Sequence, residues 1–520
     1  MARKNIVTWI TGIWCLVSGS FVSAQTYKPP FFTDTDRLQK IETAYPVIDK
    51  IYKEFAEKNH FPGMVYGIEA DGKLVHTGSV GYTDLENKIA ASSKSDFRIA
   101  SMSKSFTAMA ILKLRDEGKL HLDDPISLYI PEAKNMKPLT KDAPAITIRM
   151  LLTHSAGYPE DNPWGDRQLA NTDQQLVDMY RKGISFSHDP GLEYEYSNLG
   201  FATLGYIIKK VTGESYEQYI TENILKPLGM THTYYEYNKV PTDLLAHGYR
   251  WIDGKWVEQP MLHDGSYGAM GGMITSIEDF AKYEAFHLSA WPPRDDTETG
   301  PVKRSSVREM EYPWDVNGFN ASYRTASGRY DPYVSAYCYG LRWRKYIDGT
   351  TVIGHTGGLP GFGSEWEIYP EYGIGVMCFA NLTYASVTSL NMQVADTLLR
   401  ISGIKPRSLP PSDILTNRRD ELVKLLPGWN NAQASGIFAV NFFMDYFPEK
   451  LRAEATEIFN KAGKTTSVGE VVPENQMRGY FILYGENADI KVSFTLTPEN
   501  PPKIQEYHIS LLQKSNSREP

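Results

Sequence analysis

The spacing of hydrophobic positions changes several times along the chain, and each change marks an element. From Met64 to Ala70 apolar residues dominate, Asp71-Gly72 offers a tight turn, and Leu74–Val80 returns as a second β-rich run. This pattern predicts a β-hairpin. Ser101–Glu117 then carries Phe106, Met109, Ala110, Leu112 and Leu114 on one side and stops at Gly118. That is the signature of an amphipathic helix with a glycine stop. Leu199–Val211, ended by Gly213, and Ile277–Phe286 predict two more helices. Between Tyr339 and Leu382 the pattern becomes β-rich again, in Gly340–Lys345, Thr351–His355, Ser364–Tyr369 and Gly373–Phe379. Strands therefore bracket a helical middle, which predicts an α/β (α+β) body with an antiparallel sheet, flanking helices and a helical insertion.

The two ends read differently. Arg3 and Lys4, an apolar stretch from Ile6 to Val17 and the small residues leading to Val22-Ser23-Ala24 form a secretory signal pattern over residues 1–24. The apolar run is too short to span a bilayer, which needs about 20 residues. An exported protein, periplasmic or secreted, is expected, with no integral membrane segment once the signal is removed. Residues 25–404 make the body. Lys405-Pro406 and Leu409-Pro410-Pro411 open a linker expected over 405–425. Residues 426–520 predict a small α+β accessory domain with a helix near Pro448–Lys461 and β runs at Tyr480–Tyr484 and Lys491–Leu496.

Composition narrows the function classes. A chain of 520 residues, 42% hydrophobic and 22% charged, is neither disordered, fibrous nor polytopic. The formal charge of −8 becomes −10 when Arg3 and Lys4 leave with the signal, and no long basic run exists, so nucleic acid is not an expected partner. The partner expected is a small-molecule or peptide substrate; the sequence leaves the oligomeric state open. After signal removal only Cys338 and Cys378 remain, as one bridge or two thiols. Two cysteines make no structural zinc site, and the eleven histidines are scattered with no H-E-x-x-H, so neither a metal nor a cofactor is expected. No G-x-S-x-G stretch of the α/β-hydrolase type occurs.

The candidate chemistry lies in three short segments. In Phe97–Lys104, Ser101 and Lys104 stand three apart at a predicted helix start, on one face and within reach of each other. Serine is a weak nucleophile until a neighbouring base takes its proton. In Glu195-Tyr196-Ser197-Asn198, an extended turn would aim Tyr196 and Asn198 to one side, and a nearby lysine cation would lower the tyrosine pKa. Ordinary N-capping by Ser197 or Asn198 fits the same residues. In Gly354-His355-Thr356-Gly357-Gly358, read as a strand followed by a loop, glycines permit close approach of a substrate to backbone N–H groups.

Together these segments, "FRIASMSKSFTA", "YEYSNLGFATLGYII" and "IGHTGGLPGF", resemble in order and spacing the serine β-lactamase and penicillin-binding-protein superfamily. They are most similar to its class C branch, with its D-alanyl-D-alanine carboxypeptidases, D-aminopeptidases and esterases. "ITIRMLLTHSAGYP" and "GAMGGMITSIEDFAKY" are similar too, and the resemblance covers roughly residues 43–400. It implies a β-lactamase-like fold and an exported serine hydrolase that forms an acyl-enzyme from β-lactam, D-amino-acid peptide or ester substrates. The alternative it allows is a non-hydrolytic penicillin-binding-type protein that is acylated slowly. By resemblance, Ser101 is the nucleophile, Lys104 and Tyr196 share acid–base work, and Asn198, His355, Thr356, Gly357 and Gly358 bind substrate. The N–H groups of Ser101 and Gly358 form the oxyanion hole, and His154 is a structural turn residue. The third segment usually begins with lysine in this superfamily; a histidine there titrates near pH 6.5 and favours amide or ester hydrolysis over efficient β-lactam turnover.

Overall fold

The computed structural model describes residues 27–513, and the expected signal at 1–24 lies outside the described residues. Two compact units separate, one of residues 31–408 and one of residues 409–513 with 27–30. No helix among the described residues is long and apolar enough to cross a membrane.

The first unit is built on nine strands, numbered in chain order. These are β1 Gly63–Ala70, β2 Lys73–Asp84, β3 Ile89–Ala90, β4 Asp315–Asn320 and β5 Tyr333–Tyr337. The remaining four are β6 Arg342–Tyr346, β7 Thr351–Leu359, β8 Phe362–Tyr369 and β9 Ile374–Ala380. They form one sheet in the order β3-β2-β1-β9-β8-β7-β6-β5-β4. Every pairing is antiparallel, with Met64 opposite Ala380 where the two distant parts of the chain meet. β1, β8 and β9 are buried along their whole length, which accounts for the near-continuous apolar run at Met64–Ala70.

Five helices flank the sheet or frame the site: α1 Tyr45–Lys58, α2 Ser103–Asp116, α3 Asn198–Thr212, α4 Ile277–Ser289 and α5 Thr388–Ser402. On one face of the sheet, Ile48, Tyr52, Leu390, Val394 and Leu398 from α1 and α5 share a core with Ile68, Val376 and Cys378. On the other face Phe280 and Tyr283 of α4 pack edge-on against Trp366, with Phe280 also against Phe379. α2 and α3 lie in the same core, and α2, α3 and α4 all come from the helical stretch that interrupts the sheet between β3 and β4. The mixed α/β fold read from the sequence is the fold observed.

Three local readings change. The helix expected from Ser101 begins at Ser103, because Ala100–Met102 form a 3₁₀ turn. The Gly354–Gly358 segment does not leave the sheet: β7 continues to Leu359, paired through Gly357–Ser364 and Gly358–Gly363. Residues 413–425, expected within a linker, form a helix (Asp413–Leu425) that Ser412 caps and that buries Leu415 and Leu422 in the second unit. Cys338 and Cys378 are both free and buried.

The second unit is a five-stranded antiparallel sheet with the helix Pro448–Ala462. Its strands Arg478–Gly485 and Asp489–Leu496 alternate buried and more exposed residues, a sheet with one face covered. Trp429, Phe438, Phe442 and Tyr507 pack ring against ring within its core.

Buried Glu284 of α4 sits over Gly375 of β9, where a Cβ would lie 2.4 Å from its carboxyl carbon. Neither of its oxygens has a hydrogen-bond partner. Burial, helped by the charge of Glu69, pushes its pKa well above the ordinary 4.5. As pH climbs above that value the unfolded chain releases this proton while the folded chain keeps it, so stability falls. Urea titrations from pH 5 to 8 are expected to show a shallower fall for Glu284→Gln, by up to about 1.4 kcal/mol per pH unit.

Candidate functional site

The first functional segment is shaped by backbone before any side chain acts. Phe97–Arg98 is a two-residue strand paired to Ile274–Thr275. Ala100 then takes the left-handed φ of 50°, costly for a residue with a Cβ, and opens the 3₁₀ turn in which Ser101 is the middle residue. The turn lies against β7. A Cβ on Gly357 would stand 2.2 Å from the Ile99 carbonyl oxygen, and the Ser364 hydroxyl donates to that carbonyl at 2.8 Å. Gly357 is thus the gap through which the Ser101 turn reaches the sheet, which only glycine provides.

Lys104 follows one turn later and is completely buried. Its Nζ lies 3.0 Å from Ser101 Oγ, 2.7 Å from Asn198 Oδ1 and 2.9 Å from the Met270 carbonyl oxygen. The Tyr196 ring centroid is 4.9 Å away. Burial lowers the lysine pKa to about 7, against the upward pull of Asp166 and Asp161 and with a further downward push from Arg342. Near neutral pH much of Lys104 is therefore an uncharged amine, and the Ser101 hydroxyl can donate to it. Ser101 itself is 8% exposed.

The second segment holds α3 in place. Ser197 is its N-cap, accepting from the Gly200 N–H. Asp161 accepts from the Asn198 and Leu199 N–H groups at 2.6 and 2.8 Å. The buried Asn198 side chain spends both ends on protein, its Oδ1 on Lys104 and its Nδ2 on Asn162 Oδ1. It thereby holds the lysine in place, with one bond from each end of the amide. Tyr196 lies beside the Ser101 hydroxyl, but its pKa is raised, not lowered as expected: burial of the phenol outweighs the pull of Ser101 and of Arg342. His154 is the turn residue expected. It has a φ of 59°, its Nδ1 accepts from the Ser197 N–H at 3.1 Å, and its ring packs on Tyr196.

The third segment brings a further correction. His355 is buried, with Nε2 3.0 Å from the Tyr337 hydroxyl and Nδ1 on the Thr356 carbonyl. Burial and the charges of Arg342 and Lys104 hold its pKa well below 6.5, against the titration near 6.5 expected from the sequence. Thr356 and Gly358 are the half-exposed members of the segment, while Gly357 is buried under the Ser101 turn.

Sequence reasoning missed Asp161, Asn162 and Asp166, which come from an irregular loop without a period. Asp166 is buried, accepts from the Tyr384 hydroxyl at 2.9 Å, and Tyr384 in turn lies against Gly358. Only the "D-N-P" turn composition of the loop hinted at local order. Arg342 was missed as well. If Asp166 supports the charge on Lys104, Asp166→Asn is expected to move the lysine pKa below 7. Nitrogen or carbon NMR of labelled lysine against pH measures this directly, and an unchanged midpoint would remove Asp166 from the account.

The Beta-lactamase family profile matches residues 48–399, a span that holds all three segments. Protein flp of Staphylococcus aureus (strain MRSA252) is 32% identical over 349 residues, 66% of this chain and 64% of that protein, so the match spans under two thirds of the relative. Beta-lactamase-like protein 2 of Dictyostelium discoideum is 31% identical over 302 residues, 56% of this chain and 54% of the relative. The octameric penicillin-binding protein homologue from Pyrococcus abyssi shares the fold, with a TM-score of 0.56 at 24% identity over 91% of this chain and 94% of that one. With the family profile covering well over half of its length, the chain belongs to the Beta-lactamase family.

Proposed function

We propose that the protein is a serine hydrolase that cleaves amide or ester bonds through an acyl-enzyme at Ser101. The observation that carries this reading is the 3.0 Å approach of a buried lysine with a pKa of about 7 to the Ser101 hydroxyl. Membership of a family whose members are generally serine hydrolases supports it.

Neutral Lys104 accepts the Ser101 proton as Oγ attacks a substrate carbonyl, and the oxyanion is received by the N–H groups of Ser101 and Gly358. Tyr196, kept protonated by burial, acts as a neutral phenol that passes a proton towards the leaving group, so no phenolate is required. Water then releases the acyl group. β-Lactams, D-amino-acid peptides and esters are the substrates to be compared. Export through residues 1–24 would put the enzyme beyond the cytoplasm, in the periplasm or secreted.

A fluorophosphonate or fluorescent penicillin is expected to label the wild type and not Ser101→Ala. The variant should lose roughly a thousandfold or more in turnover of whichever of nitrocefin, D-alanyl peptides and p-nitrophenyl esters is a substrate. Equal labelling of both proteins would remove Ser101 from the mechanism. Labelling without turnover of any substrate would favour the slowly acylated binding protein. kcat/KM is expected to rise as pH passes through about 7, where Lys104 loses its proton; a flat profile there would exclude Lys104 as the base.

A further inference from the structure

We propose that Tyr384 is a positioning residue for the reaction at Ser101: its hydroxyl holds the Asp166 carboxylate, and through Asp166 it governs the proton on Lys104. The inference deepens the hydrolase reading and rests on it.

Backbone fixes the tyrosine before its hydroxyl acts. Tyr384 follows β9 and takes a left-handed φ of 51°, a costly conformation for a bulky side chain. Such a φ persists only where the surroundings over-determine it. Here the Tyr384 N–H donates to the Leu359 and Phe362 carbonyl oxygens, at 3.3 and 3.1 Å, and so grips the turn between β7 and β8. The same placement lays the ring on Gly358, where a Cβ would stand 3.0 Å from the tyrosine Cδ1. The hydroxyl then donates to Asp166 Oδ2 at 2.9 Å, a residue 218 positions away in the chain.

At Asp166 that bond has consequences. The residue is 1% exposed and lies in the 3₁₀ turn Gly165–Arg167, whose first residue packs on Asn198, the acceptor of a Lys104 bond. Its Oδ1 has no hydrogen-bond partner among the described residues, so the Tyr384 bond to Oδ2 is the support its side chain receives. Burial raises the Asp166 pKa above the ordinary 3.8, and the Tyr384 bond opposes that rise most strongly, followed by the charge of Lys104. Asp161 adds to the rise, Arg167 opposes it, and the charge of Asp166 acts on Tyr196 as well. Burial and Asp166 raise the Tyr384 pKa against Arg167 and Arg250, so Tyr384 stays a donor. Lys104 in turn is faced by Asp166, Asp161 and Arg342, and by Tyr196, His154 and His355. Among the charges, Asp166 does most to keep the lysine proton in place. Without the tyrosine hydroxyl a buried carboxylate is left with neither oxygen paired, and it takes up a proton more readily. With that negative charge gone, Lys104 gives up its proton at lower pH.

Tyr384→Phe removes the hydroxyl and keeps a ring for Gly358. In this variant the midpoint at which Lys104 loses its proton, read by NMR of labelled lysine, is expected to fall below that of wild type by roughly 0.5 to 1 pH unit. The acid limb of kcat/KM should move in the same direction by the same amount. Tyr384→Ala, which also lacks the donor, should show the same shift. Asp166→Asn should lower the midpoint by itself, and Tyr384→Phe added to it should change nothing further, because both act through one carboxylate. A midpoint that stays in place in Tyr384→Phe and Tyr384→Ala, or a full extra shift in the Asp166→Asn background, overturns the proposal while leaving the hydrolase reading intact. Failure of Ser101 to be labelled in wild type, with no ester turned over, overturns the hydrolase reading and the role of Tyr384 with it.

Discussion

The structure turns on the burial of one amine. Lys104 is fully enclosed, and an enclosed ammonium is costly unless every proton is met and opposite charge lies near. Three acceptors meet it: the Ser101 hydroxyl, the Asn198 amide oxygen and the Met270 carbonyl. Each comes from a different part of the chain. That one requirement therefore ties the 3₁₀ turn, the start of α3 and the short helix Gly268–Gly271 into a single arrangement.

The remaining parts of the site hold those acceptors where the lysine needs them. Asp161 fixes the first turn of α3, and Asn162 turns the Asn198 amide so that its oxygen faces the lysine. Gly165 allows the same loop to press on Asn198, since a Cβ there would stand 2.9 Å from the Asn198 Cβ. His154 takes the Ser197 N–H and lies under Tyr196. On the opposite side Gly357 lets the Ser101 turn touch the sheet. Burial then acts on every titratable group at once. It lowers the pKa of Lys104 and of His355 and raises that of Tyr196.

Burial also changes the character of the third segment, at which the sequence directs attention. A histidine inside the sheet carries the desolvation cost of any charge it takes, whereas Arg342 on β6 is exposed.

Much was legible in the chain. The change from β-rich runs to helical spacing and back located the sheet, the helical interruption and α2, α3 and α4, because those elements bury one stripe or one face and so impose a period on the sequence. Ser101 and Lys104 were legible because a helical turn makes residues three apart neighbours whatever surrounds them. Tyr196 was legible as a residue, but not in its ionisation. What the tertiary structure alone decided was environment: that Asn198 faces a lysine, that His355 is dry, that Asp161 and Asp166 reach the site from an aperiodic loop, and that Arg342 stands where β6 ends. Order along a chain fixes which residues are neighbours within a turn or a strand, while dielectric, partner and exposure depend on residues brought together from far apart. Those properties of the site come into being only on folding.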